Sequence, residues 1–66
     1  MSSPSSREII KALKADGWTL VRVEGSHHHF AHPTKTGITT VIHPCKDFKR
    51  PTLKSMEKQS GLKFNK

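Results

Sequence analysis

Trp18-Thr19-Leu20-Val21-Arg22-Val23-Glu24-Gly25-Ser26-His27-His28-His29-Phe30-Ala31-His32 is the stretch that decides the fold of this chain. Trp18 to Glu24 is aromatic and β-branched, the composition of a strand. Glu24-Gly25-Ser26 supplies a turn, and Ser26 to His32 returns as the second strand of a hairpin. Successive side chains of a strand point to opposite faces. With Phe30 directed into the core, His28 shares its side, while His27, His29 and Ala31 project to the other, open face. The alternation nominates His27 and His29 as a solvent-side pair and leaves His28 half-buried and structural.

Helical signals flank the hairpin. Upstream, Ser5 precedes Glu8 by the three-residue spacing of a capping box. Ile9, Ile10 and Leu13 follow with helical period. Gly17 is placed to end that helix in the left-handed conformation. Arg7, Lys11 and Lys14 recur along one face as a basic ridge. Downstream, Pro33-Thr34-Lys35-Thr36-Gly37 is a loop with both chain breakers, and Ile38 to His43 is a third β-rich run closed by Pro44. A basic loop, Lys46-Asp47-Phe48-Lys49-Arg50, leads to a second helix. Pro51 sits in its first turn, Leu53 and Met56 mark its inner face, and Gly61 ends it. Leu62 is placed for the apolar contact that accompanies a glycine cap. Residues 1–4 read as a loose start and 63–66 as a frayed basic tail, both expected to be flexible.

The order α-β-β-β-α predicts an α+β fold, a three-stranded antiparallel meander with both helices on one face. All 66 residues are expected in one domain, near the lower limit for a self-supporting core, where only ~60% of the unfolded surface is buried. Ile9, Ile10, Leu13, Trp18, Leu20, Val21, Val23, Phe30, Ile38, Val41, Ile42, Phe48, Leu53, Met56 and Leu62 are the apolar side chains available for it. The arrangement resembles the double-stranded-RNA-binding domain.

Charge narrows the class of partner. Twelve Lys and Arg against five acids give a net charge of +7. A basic surface this dense in so small a domain points to a polyanion, and nucleic acid is the commonest one. Cys45 stands alone, which rules out an internal disulfide framework. No apolar run approaches the ~20 residues of a membrane span, and the start lacks a signal-peptide segment. A cytoplasmic location without membrane contact is the expectation. Structural zinc recruits paired cysteines, so neither metal nor cofactor is expected here.

The histidine stretch also carries a family resemblance. Gly25-Ser26-His27-x-x-Phe30, after Asp16-Gly17-Trp18-x-Leu20-x-Arg22, resembles the signature of the HicA toxins of bacterial and archaeal toxin–antitoxin pairs. The similarity continues through His32-Pro33, His43-Pro44-x-Lys46-Asp47 and Ser60-Gly61-Leu62, covering nearly the whole chain in order. It implies an mRNA interferase, a translation-independent ribonuclease with a double-stranded-RNA-binding-like fold. It also implies His27 as the essential histidine, Gly25 as the family glycine, and a HicB-like antitoxin, similar to a partial ribonuclease H fold, that covers the active face. Cys45 departs from relatives, where that position is often basic, and removes one possible phosphate contact.

Metal-free RNA cleavage needs a base for the ribose 2′-hydroxyl, charge stabilisation on phosphorus, and an acid for the 5′-oxygen. His27 is the candidate base, since imidazole titrates near neutrality with an ordinary pKa of ~6.5. Gly25 has no Cβ and lets the backbone approach the ribose-phosphate. Ser26 supports the turn rather than acting as a nucleophile, because no Asp-oriented histidine partners it. Lys46, Lys49 and Arg50, with Lys54 beyond them, are candidates for the RNA phosphates. His29 and His43 are the candidate acids. A lysine field around His27 would disfavour its protonated form. Only the 2′-hydroxyl opens this route, so RNA and not DNA is the expected substrate. A non-catalytic double-stranded-RNA-binding module that uses its lysines alone is the competing reading.

Overall fold

The computed structural model describes residues 4–64. Its elements are α1 (Ser6–Ala15), β1 (Thr19–Glu24), β2 (His27–Ala31), β3 (Thr39–Ile42) and α2 (Arg50–Ser60). The strands form one antiparallel sheet in the order β1-β2-β3. This is the α+β arrangement of the double-stranded-RNA-binding type, as the element order predicts.

Local chemistry sets the ends of α1. The Ser5 hydroxyl accepts from the Glu8 N–H at 3.3 Å, and the Glu8 carboxylate accepts from the Ser5 N–H at 3.0 Å. That reciprocal pair satisfies two of the N–H groups a helix start leaves open. Gly17 ends the helix with φ +103°, and a Cβ placed there would stand 3.0 Å from His32 Nε2. His32 closes the same corner. Its Nδ1 accepts from the Thr34 and Lys35 N–H groups at 3.1 and 3.2 Å, so the ring proton sits on Nε2, donated to the Asp16 carbonyl at 2.7 Å. His32 therefore has a structural task.

Ile9 and Leu13 from α1, Trp18, Phe30 from β2, Val41 from β3, Phe48, Met56 from α2, and Phe64 form the buried core. Both helices cover the sheet face that carries Phe30 and Val41. Five residues expected in this core are instead exposed: Leu20, Val21, Val23, Ile38 and Ile42, at 39–57% of their surface. Leu20 and Val23 pair with Phe30 and His28, which puts them on the covered face. The helices pack chiefly against β3, however, and β1 is the strand at the far edge. Val21 sits at a bulge between Leu20 and Arg22, and Ile42 pairs with His27 on the open face.

The two ends of the chain also differ from expectation. Pro4 is buried, and residues 1–3 lie outside those described. The reading of residues 63–66 as a frayed tail fails at Phe64, which is 6% exposed and joins the core. Its N–H donates to the Glu57 carboxylate at 2.7 Å, fastening the chain back onto α2 just after Gly61. Residues 65–66 are outside the described residues. Elsewhere, Lys35 Nζ donates to the Asp16 carboxylate at 2.7 Å and to the Ser60 carbonyl at 3.0 Å. One ammonium thus ties the end of α1 to the end of α2.

Phe64→Ala should destabilise the domain by roughly 3 kcal/mol. That is a large share of the about 3–10 kcal/mol that a chain of this size holds in total; a frayed tail would leave the urea midpoint unchanged. The Lys35 ammonium, with the Trp18 indole N–H, holds the Asp16 carboxyl below the usual carboxylate range. A carboxyl with a depressed folded-state pKa stabilises the fold above its ordinary value of ~3.9, and the benefit is lost as pH falls through the lowered one. Thermal melts across the acid range should therefore show a falling limb that Asp16→Asn flattens, with lower stability for that variant at neutral pH.

Candidate functional site

A two-residue turn builds the site. Gly25 has φ +59° while no described non-glycine residue has positive φ, the pattern of a type II′ hairpin turn with glycine first. A Cβ on Gly25 would meet nothing within 4 Å, so the turn needs glycine for its backbone angle and leaves open space beside it. The connection fixes the register: Glu24 stands opposite His27, Val23 opposite His28, and Arg22 opposite His29.

On the open face this register assembles Arg22, Glu24, His27 and His29, with Thr40 of β3 opposite His29. His29 Nδ1 lies 2.9 Å from the Thr40 hydroxyl, and its Nε2 lies 3.0 Å from Glu24 Oε1. The other Glu24 oxygen accepts from the Arg22 guanidinium. Arg22 first, then His29, holds the Glu24 carboxyl below its usual range. An ionised carboxylate only accepts, so His29 presents Nε2–H to it. Both His29 nitrogens are thereby engaged. His27 is exposed, and among the described residues no hydrogen bond occupies its ring.

His28 and His43 share the other side of the sheet. Their rings meet edge to face, 5.1 Å between centroids. His28 is half-buried beneath this contact, its Nδ1 3.3 Å from the Ser26 carbonyl. His43 heads the cis His43–Pro44 bond, donates its N–H to the Ser26 carbonyl at 2.8 Å, and places Nδ1 2.7 Å from the hydroxyl of Ser6. Ile42 opposes His27, so alternation turns His43 to the helix side. The candidate base and one of the two candidate acids therefore face away from each other.

The basic candidates divide as well. Lys46 lines a cleft with Arg7 and His43 between the start of α1 and the turn after β3. Lys49 is the N-cap of α2 and Arg50 its first residue; both are exposed. Lys54 lies further along α2, beside Lys58, Lys63 and Glu57. The lysine field expected around His27 is not what the register supplies, for the charged side chain across from it is the Glu24 carboxylate.

Sequence reasoning missed Glu24, Arg22 and Thr40 as companions of the histidines. The two-residue turn would have located the first two by counting outward from it. It also missed Ser6, which no local pattern connects to a histidine 37 positions away. Among the described residues, no three His, Cys, Asp or Glu side chains gather closely enough to hold a metal ion. No described helix is long and apolar enough to cross a membrane.

Fold and site together define a small basic α+β domain whose central hairpin presents a solvent-open histidine on the free face of the sheet. A family model described as the HicA toxin of bacterial toxin–antitoxin systems matches residues 6–62. The chain belongs to that family, and is the toxin of a toxin–antitoxin pair whose other member is its antitoxin. Comparison with individually characterised proteins returns no match.

Gly25→Ala should cost about 1–3 kcal/mol, the penalty of a positive-φ turn position for a residue with a Cβ. Chemical denaturation measures it, and a cost near zero would show that the turn accepts another geometry.

Proposed function

We propose that this toxin is a metal-independent endoribonuclease, an mRNA interferase, with His27 as its general base. The observation that carries the reading is the unencumbered His27 ring, exposed at the mouth of a glycine turn and set across from an ionised carboxylate. In this mechanism His27 takes the proton of a ribose 2′-hydroxyl, and the oxygen attacks the adjacent phosphorus. The 5′-oxygen leaves, and the products are a 2′,3′-cyclic phosphate and a 5′-hydroxyl. Glu24 stabilises the imidazolium as it forms, since an opposite charge close by favours the charged ring. His29, tied to Thr40 and Glu24, orients that carboxylate rather than delivering a proton. The leaving oxygen takes its proton from solvent, because His43 lies on the other side of the sheet. Arg22 on the same face, with Lys46, Lys49, Arg50 and Lys54 along the RNA, offsets phosphate charge. Open space beside Gly25 admits the ribose, and Ser26 completes the turn.

Inhibition follows from the same geometry. A HicB-like antitoxin that covers the open face would bury His27 and keep RNA away from it. The toxin would act on mRNA in the cytoplasm and arrest translation and growth.

His27→Ala decides the matter. A positioned base typically contributes 10²–10⁴-fold, so cleavage should fall by about that factor while affinity for a non-cleavable 2′-O-methyl RNA changes little. Expression of the variant should no longer arrest growth. Mapping of RNA ends checks the cyclic phosphate. Undiminished cleavage by the variant, equal cutting of DNA, or cutting that stops with a chelator would each sink the mechanism. Binding with no cleavage by the wild-type chain would make it a non-catalytic RNA-binding module.

A further inference from the structure

On the helix side of the sheet, away from His27, a cleft of about 540 Å³ opens between the start of α1 and the turn after β3. Arg7 and Lys46 line it, together with His43. Among the described residues no Asp or Glu lines it, although the chain has five. Neither Arg7 nor Lys46 forms an ion pair among the described residues. Asp16 and Glu24, by contrast, are already matched to Lys35 and Arg22. Two uncompensated cations therefore share one concavity.

The imidazole in this cleft is held by a buried hydroxyl. Ser6 is 2% exposed. Its hydroxyl oxygen accepts the Cys45 N–H at 2.9 Å and lies 2.7 Å from His43 Nδ1. A hydroxyl carries one proton, and His43 Nδ1 is the acceptor in reach. With the hydroxyl donating to Nδ1, the ring carries a proton on Nε2, a nitrogen that meets no hydrogen-bond partner among the described residues. The Ser6 N–H in turn donates to the Cys45 carbonyl at 2.7 Å. Three hydrogen bonds lock the turn to α1 and orient the ring as an N–H donor.

We propose that this cleft binds a phosphodiester of the RNA strand, with Arg7 and Lys46 as the counter-charges, His43 Nε2–H as an oriented donor, and Ser6 as the residue that positions His43. The inference rests on RNA being the ligand, and it assigns to the strand a second anchoring point on the opposite side of the hairpin from His27. His43 serves here in binding rather than as the acid of the reaction. Its direction in the cleft is set by a residue of another element.

The test measures the affinity of the full chain for a single-stranded 2′-O-methyl RNA as a function of salt. Each phosphate contact on a single strand contributes about −0.7 to the slope of log K against log salt. Arg7→Gln and Lys46→Gln should each make the slope shallower by about that amount, and the double variant by twice as much. Lys14→Gln, on the same helix outside the cleft, should leave it unchanged. Ser6→Ala should weaken binding without altering the slope, and should convert the ¹⁵N pattern of the His43 ring from one tautomer to a mixture. If circular dichroism shows Ser6→Ala unfolded, the exposed Arg7 and Lys46 variants decide alone. Equal slope losses from Lys14→Gln, or none from the cleft variants, would overturn the assignment. So would saturation of the His43 signals by millimolar inorganic phosphate with the RNA slope unaffected, which marks a pocket for free anions. Cleavage of unmodified RNA is scored separately. A chain that cuts RNA but keeps its slope in both cleft variants loses this subsite alone. A chain that cuts nothing yet loses slope keeps the subsite and loses the nuclease.

Discussion

The pairing register of β1 with β2 governs what the open face of this sheet presents to a ligand. Because side chains alternate with a period of two, a slip of one residue would exchange the faces of the whole strand. His27 would then point toward the helices and His28 toward solvent, and Phe30 would leave the core. The connection of Gly25 and Ser26 excludes that slip, since only a glycine at the first turn position supports its backbone angle at little cost. A core requirement and a site requirement are thus met by one turn. Glu24 and His27 are placed together by the same device, flanking the turn as the first cross-strand pair.

The helices impose a second, asymmetric constraint. They cover β2 and β3 and stop short of β1, so the buried core contains eight side chains among the described residues. Polar ties reinforce so small a core at two corners. The Ser6 hydroxyl knots the start of α1 to the turn after β3, and the Lys35 ammonium joins the far ends of the two helices. A typical hydrogen bond adds only about 1 kcal/mol net, but each of these links elements far apart in sequence. On the outer edge of β3 the Thr40 N–H donates to the Gln59 side chain at 3.1 Å.

What could be read from the sequence was what depends on near neighbours. Ser5 and Glu8 declare their cap, Gly17 and Gly61 end their helices, and the alternation through His27, His28 and His29 assigns each ring to its face. Phe64 was not legible as a core residue because a basic tail surrounds it and its partner Glu57 is a full two turns back along α2. The exposure of Leu20 and Val23 was illegible for another reason. Their apolar pattern records which face they occupy, whereas coverage depends on where helices of limited width come to rest. The environments of His29 and His43 depend on Thr40 and Ser6, which only the folded chain brings near. The faces of the site were therefore readable, and its hydrogen-bonded companions were not.

The bare strand β1 has a colloidal consequence. All six of its residues are exposed, and an unpaired strand edge is a template on which another copy can add. The bulge at Val21 and the charged Arg22 and Glu24 interrupt that template only from its middle onward. What remains between two approaching copies is mutual repulsion from a surplus of seven positive charges on each. Such repulsion reaches about 10 Å at 0.1 M salt and about 3 Å at 1 M. Concentrated electrolyte thus strips away the barrier, and the charge that holds two copies apart at low salt no longer separates their edges.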